Sequence, residues 1–147
     1  MITTRTLLGA TFLGATLALA GCGMMPKSKT TSATNQMSGA QEVPPRPGSG
    51  AGTVVTTLNK ETRALRWTVT YSGLSGPVTA GHFHGPAAAG SNAGVVLPFT
   101  GSMASPIEGT ATLTEAQMAD FVAGRWYANL HTAAAPGGEI RGQVTGH

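Results

Sequence analysis

The chain has 147 residues, 21 of them Gly and 9 Pro, with 41% apolar and only 10% charged residues. That length gives one domain of ordinary size plus a leader. The heavy Gly and Pro use excludes a helical bundle, because Gly costs about 1 kcal/mol and Pro about 3 kcal/mol in a helix interior. The net charge of +3 resides in Arg5, Lys27 and Lys29, while the remaining basic residues balance the 6 acidic ones. No basic run interleaved with aromatics is present, which excludes a nucleic-acid partner.

The first segment reads as an address. A short stretch containing Arg5 precedes an apolar run from Leu7 to Ala20. That run falls short of the ~20 residues a spanning helix needs, and it has signal-peptide form. Leu19-Ala20-Gly21-Cys22 resembles the bacterial lipobox, in which the thiol is diacylated and the leader is cut before it. The resemblance implies a lipoprotein signal peptide over residues 1–21 and lipidation of Cys22, with palmitate among the acyl chains. The partner is then a membrane, each buried CH₂ contributing about 0.8 kcal/mol. Gly23 rather than Asp after the cysteine resembles lipoproteins of the outer membrane, on its periplasmic side or at the surface. Cys22 is the 1 cysteine of the chain, so once lipidated the domain has no thiol for a disulfide or a thiolate zinc site. Residues 22–37 are polar, Ser/Thr-rich and aperiodic, and are expected to form a flexible tether. The alternative, an extra edge strand, is opposed by Pro26 and the lysines.

From Ser38 onward the period is two, which predicts a domain over 38–147. A short piece near Gln41–Val43 is followed by Ala51–Leu58 and by Ala64–Tyr71, joined by a hairpin-length link at Asn59-Lys60-Glu61-Thr62. Val78–His84, Gly94–Thr100, Ile107–Leu113, Arg125–His131 and Glu139–Thr145 complete about eight strands. Thr114-Glu115-Ala116-Gln117 has capping-box form, with Met118, Phe121 and Val122 as the buried stripe of one short helix ended by Gly124. The spacing predicts an all-β fold, an antiparallel Greek-key sandwich or barrel. The block Gln41-Glu42-Val43-Pro44-Pro45 is expected to seal a sheet edge, where proline denies further pairing.

Strand parity then sorts the candidate site residues. If Trp126, Ala128 and Leu130 face the core, then Tyr127, Asn129 and His131 face outward. The same rule sends Phe83 inward and His82 with His84 outward; in the last strand Ile140, Gly142 and Val144 go inward, and Glu139, Arg141 and Gln143 outward. Histidines at i and i+2 of a strand stand roughly 7 Å apart at the backbone, and imidazole suits both copper and zinc. His131 completes a three-histidine set if its strand lies beside that of His82-Phe83-His84. The plain alternative is solvated histidines, or rings that fix loops by bonding carbonyls. Glu139 and Arg141 are either an exposed pair or groups that orient His131 or His84, and Asn129 is placed to do similar orienting work. His147, the last residue, is expected to be mobile and is set aside with Met103.

Four blocks carry a resemblance: Ser38-Gly39-Ala40-Gln41-Glu42-Val43-Pro44-Pro45, Ala80-Gly81-His82-Phe83-His84-Gly85, Tyr127-Ala128-Asn129-Leu130-His131-Thr132 and Pro136-Gly137-Gly138-Glu139-Ile140-Arg141-Gly142-Gln143. In this order they resemble the signatures of the CHRD domain, named for chordin, where it is repeated, and common in bacterial secreted proteins. The resemblance runs from about Ser38 to Val144 and implies an immunoglobulin-like or superoxide-dismutase-like β-barrel without implying an activity. A looser similarity is to copper/zinc superoxide dismutase, whose copper-holding parts His82, His84 and His131 could play. Departures from that family are the missing bridging histidine and zinc loop, and Arg141 is only an insecure counterpart of its steering arginine.

The expected function is an exported, lipid-anchored CHRD domain that binds one copper ion, copper ahead of zinc, for sequestration, delivery or tolerance. Two alternatives stand beside it: an adhesion or protein-interaction module with a protein partner and no metal, and a dismutase-type redox enzyme. Neither a Gly-x-Ser-x-Gly elbow nor a dinucleotide glycine loop occurs, and no catalytic residue is assigned.

Overall fold

Runs of small and β-branched residues, set with a few large aromatics, build the strands, and a computed structural model describes residues 29–147. The signal peptide, Cys22 and the first part of the tether lie outside the described residues. In chain order the elements are β1 (Thr30–Ser38), β2 (Ala51–Asn59), β3 (Ala64–Ser72), β4 (Val78–His84), β5 (Val95–Pro98), β6 (Ile107–Thr112), α1 (Glu115–Val122), β7 (Trp126–Thr132) and β8 (Ala135–Val144). The eight strands form one antiparallel sheet, curled around its core in the order β5-β4-β7-β8-β1-β2-β3-β6. The fold is all-β with one helix, as the period-two pattern requires. Among the described residues no helix is long and apolar enough to cross a membrane.

Three expectations need correction. Residues 30–37, assigned to the tether, belong to β1, which pairs along its whole length with β2 from Thr30↔Asn59 to Ser38↔Ala51. Its threonines are β-branched and suit a strand. Every second residue turns inward, ending at Met37, which is 1% exposed. The Gln41–Val43 piece is no strand: Gly39–Gln41 is a single 3-10 turn. Nor does the Gln41–Pro45 block seal an edge, because the edge strands are β5 and β6. It folds over the outward face of β7 and β8, where Glu42 meets Asn129.

The inward parity of the strands, joined by Phe121 from α1, supplies the core. Val54, Leu58, Leu65, Val69, Phe83, Phe121, Trp126, Leu130, Ile140 and Val144 are all fully buried, each large side chain contributing about 1.5–3 kcal/mol. Trp67 stacks on Phe99 and meets Phe83 edge-on, both at 5.5 Å between centroids. The predicted capping box forms at Thr114 and Gln117 and sets α1 so that Phe121 packs edge-on against Trp126 at 5.4 Å. This floor fixes the register of β4 and β7, which pair as Ala80↔His131, His82↔Asn129 and His84↔Tyr127. A one-residue slip would expose Phe83 and Leu130, so the outward set is held by the inward one.

His147 is also corrected. Its ring bonds Thr56 Oγ1 at 2.7 Å and lies 4.6 Å from the Phe121 ring, closing one side of the core. Met103 packs on the core, and its carbonyl accepts from the Tyr71 hydroxyl at 2.7 Å.

Candidate metal centre

His82 and His84 leave β4 on the outward side, and His131 leaves β7 beside them. Their ring centroids are 4.9 Å apart for His82–His131, 5.4 Å for His82–His84 and 6.3 Å for His84–His131. One nitrogen from each ring lies within 4.8 Å of the other two. Two donors at 2.0–2.1 Å on opposite sides of one ion stand about 4 Å apart, so closure requires the rings to turn inward by about 1 Å. His82 Nδ1 and His131 Nε2 are already 3.1 Å apart. Among the described residues no second cluster of three such groups occurs.

Backbone carbonyls set the ring tautomers. His84 Nδ1 lies 3.0 Å from the Ala93 carbonyl and His131 Nδ1 lies 2.9 Å from the Pro136 carbonyl. A carbonyl only accepts, so in each neutral ring the proton is on Nδ1 and Nε2 carries the lone pair. His84 Nε2 is buried and finds no hydrogen-bond partner among the described residues. A buried, unpaired acceptor is costly as it stands, and a cation is the partner that removes the cost. Burial first, then the charges of His131 and His84, hold the His82 imidazole below its ordinary range. Burial lowers His84 as well, opposed by its bond to Ala93 and aided by His131 and Arg141. Both rings are thereby kept in the neutral form that ligates metal. The donor set fits a copper or zinc ion.

Around the rings stands a wall built from residues that parity had only placed on the outward face. The His84 ring stacks on Tyr127 at 4.8 Å with an interplanar angle of 1°. The Arg141 guanidinium, from the strand on the other side of β7, lies 3.4 Å from the centre of the same tyrosine ring. The Tyr127 hydroxyl exchanges hydrogen bonds with Ala93, whose carbonyl also holds His84. Arg141 is 2% exposed and binds Asn92 Oδ1 and the Ser91 carbonyl. Arg141 thus touches His84 through Tyr127, a residue that sequence reasoning placed on the right face but did not assign to the site. Its signal was its parity with Asn129 and His131.

Neither of the other two expected supporting residues bonds a histidine directly. Glu139 is no partner of Arg141: it accepts from the Ser75 backbone and hydroxyl, both at 2.6 Å, and from Thr132. Burial works to raise the Glu139 carboxyl, but these bonds and the charge of Arg46 outweigh it and hold the group below its ordinary value. It fastens the β7–β8 turn, three residues beyond the Pro136 carbonyl that holds His131. Asn129 is 2% exposed and donates through Nδ2 to Glu42 Oε1 at 2.6 Å. Glu42 itself was overlooked, being read only as part of an edge seal. Burial pushes its carboxyl up to about 7, against the lowering pull of Arg141 and Arg46 and of bonds from Asn129 and the Val43 backbone. Gly138, at φ +123°, makes room for the pair: a Cβ there would fall 2.4 Å from Asn129 Nδ2 and 2.7 Å from Glu42 Oε1.

Comparison with known proteins agrees with the ordered motifs. No curated protein and no solved structure matches the chain. A family model, described as the CHRD domain, matches residues 33–144, from within β1 to the end of β8. With most of its length covered in this way, the chain belongs to the CHRD domain family.

Proposed function

We propose that this CHRD domain binds one copper ion through His82 Nδ1, His84 Nε2 and His131 Nε2. The observation that carries the reading is the pair of carbonyl-held rings with their lone pairs turned to a shared space, one of them buried and unpartnered. Divalent copper is the first-row ion that nitrogen sites hold most tightly, and no thiol competes for it once Cys22 is lipidated. The role follows from the binding: sequestration, delivery or tolerance of copper in an exported, extracellular-type module. The leader and Cys22 motif support a lipid anchor at the outer membrane, with the domain in the periplasm or at the surface.

In this reading the ion supplies a Lewis-acidic, redox-active centre. The chain's own residues hold its ligands. Ala93 and Pro136 keep protons on the outer nitrogens of His84 and His131. Tyr127 presents a flat wall to the His84 ring, and Arg141 clamps that wall from behind.

Titration of the folded domain with Cu(II) and with Cu(I), against a chromophoric competitor, tests the reading. One ion per chain is expected, with affinity falling at least a hundredfold in the triple His82→Ala/His84→Ala/His131→Ala variant. Affinity unchanged in that variant, or no binding above a surface-histidine background, overturns it. In that event an interaction module remains, to be sought by capture of a specific partner. A superoxide assay on copper-loaded protein decides whether redox turnover accompanies binding, which requires a rate above that of free copper.

A further inference from the structure

His82 differs from its two companions. They are each fixed by a backbone carbonyl, whereas the His82 bond is to His131 Nε2 alone. Because His131 keeps its proton on Nδ1 for Pro136, its Nε2 accepts, and His82 Nδ1 is the donor across the 3.1 Å contact. His82 Nε2 then carries the lone pair. An ion placed between the two rings reverses this, since His82 Nδ1 must offer its own lone pair and the ring proton must sit on Nε2. A protein acceptor for that proton would hold the ring in the tautomer the ion requires.

One is at hand. Asn129 is directly opposite His82 in the β4–β7 register and shares its face, where side chains of paired residues stand roughly 5 Å apart at Cβ. Its Oδ1 is buried and finds no partner among the described residues. Its Nδ2 is held by Glu42 on the β8 side, beside Gly138. With Nδ2 committed to Glu42, Oδ1 is the limb left to accept a proton from the opposite strand. A buried amide with one limb anchored and the other empty is a costly arrangement, and it is relieved when an N–H arrives.

We infer that Asn129, anchored by Glu42, is the acceptor for the His82 proton in the metal-bound protein, and that the site loads by a change of His82 tautomer. The Nδ1–H bond breaks, its proton passing to water, and an Nε2–H bond forms with a proton taken from water, so the ring is neutral before and after the exchange. Asn129 and Glu42 are positioning residues that act through His82. The inference rests on the proposed metal site and adds the buried Glu42–Asn129 pair to it.

Long-range nitrogen–proton NMR on ¹⁵N-labelled protein reads the tautomer directly. In chelator-treated protein His82 is expected to carry its proton on Nδ1, and on addition of Cu(I), which is diamagnetic, to carry it on Nε2. Asn129→Leu is expected to weaken Cu(I) binding 10–100-fold, the usual effect of removing a partner of a metal-bound imidazole. The exchanged pair Glu42→Gln/Asn129→Asp rebuilds the contact with donor and acceptor reversed, and is expected to restore affinity to within a few-fold of the original. An Nε2 proton already present in the chelator-treated protein overturns the inference, as does wild-type affinity in Asn129→Leu. If Asn129→Leu does not fold, the exchanged pair decides alone: a folded pair binding ten times more weakly than wild type overturns it. Failure of wild-type protein to bind copper at all removes the metal reading and this inference with it. Tight binding with an unmoved tautomer removes only the latter.

Discussion

The sheet has two outward faces, and they have been built by opposite means. On β1, β2, β3 and β6 the outward residues are Thr30, Ser32, Thr34, Val55, Thr57, Arg66, Thr68, Glu108 and Thr110, half-buried or exposed and open to water. Their bonds are local, such as Ser32 to Thr57 at 2.9 Å, and Lys29 pairs with Glu61 at 2.9 Å between two exposed side chains. On β4, β7 and β8 the outward residues Tyr127, Asn129 and Arg141 are 4%, 2% and 2% exposed. Two segments cover them: residues 39–46 and the loop between β4 and β5, tied together by Asn92 Nδ2 and the Val43 carbonyl at 3.2 Å. Where water is excluded, a polar group without a partner is costly, so each one present needs a reason. On the open face none is needed.

That contrast can be broken by experiment. The largest effect is expected from Glu42→Gln, read as a pH dependence. The buried Glu42 carboxyl, raised to about 7, holds its proton in the folded chain over a range where the unfolded chain has lost it. Its contribution to stability is therefore complete below the ordinary carboxylate value and is lost as pH rises through about 7. The lowered His82, His84 and His147 act in the opposite sense, losing stability as pH falls below the ordinary imidazole range. Urea unfolding of wild type and Glu42→Gln at pH 4.5 and pH 8 isolates the first effect. The variant should gain on wild type by on the order of 3 kcal/mol between the two, and a difference independent of pH would place Glu42 in water.

Next in size is Gly138→Ala, which drives a Cβ into the Glu42–Asn129 bond at a backbone angle of φ +123°. A loss of about 1–3 kcal/mol is expected, together with weaker copper binding; unchanged thermal unfolding would mean the pair is not tightly held. Tyr127→Leu removes the ring between Arg141 and His84, and should cost about 1–2 kcal/mol. The copper-bound form should show an altered Cu(II) electron-paramagnetic-resonance spectrum as His84 loses its wall. An unaltered spectrum would make the stack a matter of stability only. Smallest of all, Thr57→Ala on the open face should stay within about 0.5 kcal/mol of wild type and leave copper affinity alone. A larger effect there would end the distinction between the faces.

Parity made the three histidines legible, because Phe83, Trp126 and Leu130 are too large to face anywhere but inward. The helix was legible from Thr114 and Gln117 for an equally local reason. Legibility stopped where long-range placement took over. Asn129 and Arg141 were assigned to an outward, wet face because strand alternation says nothing about what lies above a sheet. The loop between β4 and β5 and the segment that follows β1 arrive there through sheet order. Glu42 lies 87 positions from Asn129 in the chain, and no local pattern relates them. The strand at Thr30–Ser38 is illegible for another reason: its inward residues Thr31, Ala33 and Asn35 are small or polar, so no apolar period shows before Met37.

That strand has a consequence for how the molecule comes together. β1 lies between β8 and β2, so β5-β4-β7-β8 and β2-β3-β6 are two half-sheets spliced by the earliest strand. The seam is tight: a Cβ on Gly142 would stand 2.5 Å from the Gln36 carbonyl, and Asn35 stitches Thr145 from both sides of its amide. A protein trimmed to begin at Ser38 would keep every histidine and all four CHRD blocks yet lose the suture that brings its two halves edge to edge.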